Sequence, residues 1–60
     1  MRVYTLKELF RLTRVELFAL HYRITTELDR FPEASDERSI ALTNLRNIRR
    51  VLARPNPSPT

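Results

Sequence analysis

The sequence predicts an all-α protein: a short N-terminal helix followed by an αα-hairpin. Three observations carry this. Glycine is absent from all 60 residues, which argues against the tight turns of β-rich folds and against glycine-lined nucleotide cradles. Leu is the commonest apolar residue, and there are few β-branched runs. Helix start signals recur along the chain and a proline stop follows them.

The first start signal is "TLKE", Thr5 to Glu8, which matches a capping box. Leu6, Leu9 and Phe10 then share one face by i, i+3, i+4 spacing, giving a helix over about residues 6–11. "TRVE", Thr13 to Glu16, repeats the signature and places a break near Leu12. One continuous helix from Thr5 to Phe31 is the alternative. The second helix is expected over 14–31, where Pro32 stops it, because the residue before a proline avoids the α region. Ser35 is the expected N-cap of a third helix over 36–53, with Asp36 and Glu37 at its positive end. Residues 1–54 thus form one helical domain, and Pro55–Thr60, with three prolines, is expected to be a disordered tail.

At about 100° per residue the second helix carries two apolar faces. Leu17, Leu20, Ile24, Leu28 and Phe31 form the main one. Val15, Phe18, Ala19 and Tyr22 form another, roughly opposite. The third helix has a broad stripe of Ala41, Leu45, Ile48 and Leu52, widened by Ile40 and Val51. One hairpin cannot cover all of these faces. The surplus on the second helix must meet the first helix or another subunit, and a homodimeric helical bundle would bury it. A chain this short is marginal alone, burying only about 60% of its unfolded surface. With no cysteine and one histidine, His21, disulfides and Cys- or His-rich metal sites are excluded, leaving association as the natural support.

The totals also bound function. No apolar run approaches the ~20 residues of a membrane span. "MRVYTLKELF" has neither the apolar segment nor the cleavage pattern of a secretory signal. The absence of cysteine fits a reducing, cytoplasmic setting. A net charge of +4, from 11 basic and 7 acidic residues, favours anionic partners. Catalysis, a cofactor and a small-molecule substrate are not expected. His21 lacks an orienting carboxylate and a nucleophile, and Glu16 and Glu27 sit among Arg23 and Arg30 as a solvated ion-pair face, with Arg23 and Glu27 spaced as an i, i+4 pair.

Two candidate binding surfaces remain. Phe18 and Tyr22, one turn apart, suit either core packing or the docking of a partner helix. Arg46, Arg50 and Arg54 follow i, i+4, i+8 on an outward strip with Ser39, Thr43 and Asn47, while Arg49 lies towards the other edge of the apolar stripe. Guanidinium, hydroxyl and amide groups suit phosphate contact. Equally, arginines at a helix C-terminus complement its dipole. No aromatic interleaves the strip, and the turn at Phe31–Ser35 lacks helix-turn-helix character. The expected function is a non-enzymatic regulatory module that binds a protein through an apolar and basic helix surface, or nucleic-acid backbone through the arginine strip.

Through "TRVEL", "SDERSIAL" and "NLRNIRRVLAR" the chain resembles short helical proteins encoded on bacterial plasmids and integrative elements. That resemblance implies a bacterial, intracellular accessory or regulatory protein. In architecture alone the hairpin is similar to the Rop-type RNA-binding dimer, whose sequence pattern it does not share.

Overall fold

In the computed structural model, which describes residues 2–54, the chain is all-α. The tail expected over Pro55–Thr60 lies outside the described residues. Helix α1 spans Leu6–Phe10, α2 spans Arg14–Glu27 and α3 spans Asp36–Ala53.

Local chemistry sets each boundary. Both capping boxes form. The Thr5 hydroxyl accepts from the Glu8 amide at 3.1 Å and Glu8 reaches back to the Thr5 amide at 3.0 Å. Thr13 and Glu16 repeat this at 3.1 and 2.9 Å. The helix therefore divides at Arg11–Thr13, as two independent start signals require. Ser35 caps α3 by accepting from the Arg38 amide. The α-helical part of α2 ends at Glu27, earlier than the proline alone suggests, and a 3₁₀ turn over Leu28–Arg30 carries the chain to an extended Phe31 before Pro32. Such tightening is common where a helix runs out of intrahelical partners.

The core is Leu9, Leu17, Ile24, Ala41, Leu45 and Ile48, all buried, ringed by Tyr4, Leu12, Leu20, Leu28, Phe31, Val51 and Leu52. The main apolar face of α2 thus meets the stripe of α3, and α1 packs chiefly against α3. Phe10 departs from the expected α1 face: it remains 48% exposed, with the Arg54 guanidinium 4.7 Å from its ring centroid.

One polar residue lies inside the apolar stripe of α3. Asn44 is fully buried; its Oδ1 accepts from the Tyr4 amide at 2.8 Å and its Nδ2 donates to the Arg2 carbonyl at 2.9 Å. The side-chain amide satisfies both groups much as a neighbouring strand would, and clips the extended segment before α1 to the middle of α3. Beside it Arg2 makes a bidentate pair with Glu8, at 2.9 and 2.7 Å.

Two arginines close the hairpin ends. Arg14, at the start of α2, donates to the Leu52 carbonyl at the end of α3, at 3.1 Å. Arg38, in the first turn of α3, donates to the Leu28 carbonyl at the end of α2, also at 3.1 Å. Each guanidinium meets a carbonyl at the negative end of a helix, and the Leu28 carbonyl also accepts from the Phe31 amide at 3.2 Å.

Replacing Asn44 by Ala should cost about 1–3 kcal/mol, because a main-chain donor and acceptor lose a buried partner. Urea unfolding measures the loss. Hydrogen exchange should show the Tyr4 amide freed while amides around Ile48 stay protected. Unchanged exchange at Tyr4 would contradict the clip.

The Glu8 carboxyl is held at about 2, against an ordinary 4.5, first by hydrogen bonds from the Arg2 guanidinium and then by the Thr5 amide. The folded-state value is depressed, so this contribution to stability is complete above pH 4.5 and is lost as pH falls through about 2. Thermal melts across that window should show a smaller acid-induced drop for Glu8→Gln than for the wild type. The difference is expected to be modest, since both partners are solvent-exposed.

Candidate functional site

The five residues singled out from the sequence fall on three different parts of the surface. Phe18 and Tyr22 share the outward face of α2. They are 54% and 72% exposed, beside Val15 at 78%. Packing α2 through Leu17 and Ile24 forces this, because the second apolar face then points away from α3. The first helix does not cover it, since α1 lies chiefly against α3. Among the described residues, the intramolecular covering of that face is therefore absent.

Charge borders the face on both sides. The Arg14 guanidinium stands 5.6 Å from the Phe18 ring centroid, within cation–π range, while also holding the Leu52 carbonyl. On the other rim, helical spacing sets Arg23 in line with Glu16 two turns away, with Ala19 between them and the aromatics. The expected i, i+4 bridge between Arg23 and Glu27 is not formed: among the described residues the one salt bridge is Arg2–Glu8. Instead Arg23 and Glu27 line a shallow concavity with Tyr4, Leu20 and Ile24.

The arginines of α3 form a separate surface, on the side of the hairpin away from Phe18. Arg46 and Arg50 project outward, opposite the buried Ala41 and Ile48. The strip is shorter and broader than i, i+4, i+8 spacing suggests. The helix stops at Ala53, so Arg54 adopts an extended backbone and turns to Phe10 rather than continuing the row. Arg49 joins Arg46, Ser39, Leu42 and Thr43 around one open concavity, rather than lying apart. Arg46, Arg49 and Arg50 span about 100° of arc, the width of one helix face.

The sequence reading missed Asn44 and Arg14. Asn44 carried a usable signal, since counting at 3.6 residues per turn places it inside the stripe between Val51 and Ile48, where a polar side chain needs a partner. Arg14 carried none, because its partner is 38 residues away.

His21 is half-buried, and its Nδ1 lies 3.5 Å from the Thr25 hydroxyl, which donates to the His21 carbonyl at 2.7 Å. Among the described residues no group of three or more His, Cys, Asp or Glu gathers as a metal site, and no helix is long and apolar enough to cross a membrane. Comparison of the chain with protein-family models, with curated proteins and with solved structures finds no match.

If the outward face of α2 is surface, its residues are dispensable for folding. Tyr22→Ala should change the unfolding free energy by no more than about 0.5 kcal/mol at high dilution. Leu17→Ala, which empties a core position on the same helix, should cost about 2–5 kcal/mol. Denaturant unfolding of the two variants compares them directly.

Proposed function

We propose that this protein is a non-enzymatic interaction module that docks a protein partner on the outward face of α2. Phe18 and Tyr22 are the anchors, with Arg14 and Arg23 at the rim. The observation that carries this reading is the exposure of both aromatics, 54% and 72%, on a face that no other element among the described residues covers. Tyr and Arg dominate binding energy at protein interfaces, and aromatic anchors ringed by charge are the usual arrangement. With its lack of cysteine and its resemblance to proteins of bacterial mobile elements, the module would serve as a small cytoplasmic regulatory protein.

One observation favours a competing reading, the binding of nucleic-acid backbone on α3. Arg46 and Arg49 converge on a concavity with two hydroxyl side chains, Ser39 and Thr43, a set suited to phosphate. Diversion of Arg54 to Phe10 takes one cation out of that surface.

Paired substitutions separate the two. A tagged chain in nuclease-treated extract should retain a protein, whether a second copy or another chain. Phe18→Asp with Tyr22→Asp should abolish that retention, and Arg46→Glu with Arg50→Glu should leave it intact, both variants staying helical by circular dichroism. The opposite pattern would favour α3: loss only with the arginine variant, release by nuclease, and a log–log salt slope flattened by about 0.9 for each lost phosphate contact.

A further inference from the structure

The fold sorts charge along the hairpin. Residues 27–38, which form its closed end, hold Glu27, Asp29, Glu33, Asp36 and Glu37 against Arg30 and Arg38, a net −3. The rest of the chain carries +7 of the overall +4. Arg11, Arg14, Arg49, Arg50 and Arg54 lie towards the open end, where the start of α2 meets the end of α3. From this polarity we infer that the protein docked on α2 is a second copy of the chain, laid antiparallel about a two-fold axis near Ala19. The inference rests on the docking reading above and names its partner.

Two levels of complementarity support it. Over the whole molecule, an antiparallel pair sets the acidic closed end of each copy beside the basic open end of the other, whereas a parallel pair stacks like on like. Along α2, an antiparallel two-fold sets each rim against the same rim of the other copy. With the axis near Ala19, Arg23 then faces Glu16 of the second copy, and by symmetry the pair forms twice. The opposite rim sets Arg14 against Thr25 of the second copy, so no like charges meet. Among the described residues Arg23 has no salt-bridge partner, which leaves its guanidinium available for this contact. Between the rims, Val15 and Phe18 of one copy lie over Tyr22 and Ala19 of the other, closing the exposed aromatics into a dry strip. One face of a 14-residue helix is about 21 Å long, less than a standard interface of about 800 Å² per partner needs, so the dimer is expected to exchange at micromolar concentration.

Because the chain has no cysteine, single-cysteine variants report orientation without background. Under mild oxidation Ala19→Cys, on the axis, should form a disulfide with its own copy. Thr26→Cys lies on the same face about 10 Å further along the helix, so its two copies should stand about 20 Å apart and stay reduced. Light scattering across a concentration series should give a dimer mass that dissociates with added salt. Arg23→Glu should raise the dissociation constant about tenfold, by turning two rim attractions into repulsions. Adding Glu16→Arg should recover most of that loss, with circular dichroism checking that the altered cap still holds α2. A monomer mass throughout the series overturns the inference, as does self-linkage of Thr26→Cys. The docking reading fares separately. It survives a monomer mass if the tagged chain still retains another protein that Phe18→Asp releases. It fails, with the inference, if a dimer forms that Phe18→Asp leaves unchanged.

Discussion

The arrangement of this small protein depends on one buried side-chain amide. The α1 helix has only five residues, too few to be stable in isolation, where even helices of about 12–15 residues are marginal. It persists because Asn44 holds the segment before it by both a main-chain donor and a main-chain acceptor, while Leu9 enters the core. Fully buried, Asn44 would be costly without those partners. The clip and the hairpin are therefore mutually required: the amide needs the N-terminal segment to satisfy it, and the segment needs the amide to stay docked.

That clip decides which surface is left open. It draws α1 and the residues before it to α3, so among the described residues nothing covers the outward side of α2. Had α1 folded onto Phe18 and Tyr22 instead, the same sequence would have closed its apolar surface internally. The exposed aromatics follow from the position of one asparagine as much as from their own spacing.

The arginines are less uniform than their charge suggests. Arg14 and Arg38 close helix ends by donating to carbonyls of a neighbouring element. Arg2 secures Glu8, and Arg54 leaves the helical row to lie over Phe10. Arg46, Arg49 and Arg50 are turned to solvent and set the positive face of α3. A net charge of +4 therefore overstates what a polyanion would meet on any one face, and says nothing of the acidic closed end.

The all-α class, the break before Arg14, both capping boxes, the Ser35 cap and the core stripe of α3 were determined by the sequence itself. Each is a short-range matter, in which a side chain answers a main-chain group three residues away or an apolar period repeats each turn. Only the tertiary structure decided the rest. Asn44 meets Tyr4 across 40 residues and Arg14 meets Leu52 across 38. Helical spacing extended the arginine row through Arg54, but the helix ended one residue sooner, and a nearby ring claimed the side chain. The second apolar face of α2 was visible as a pattern, but whether α1 or another molecule meets it depended on how α1 packs. Periodicity names the faces of a helix; which of them is buried depends on contacts between segments far apart in the chain, to which no local spacing gives access.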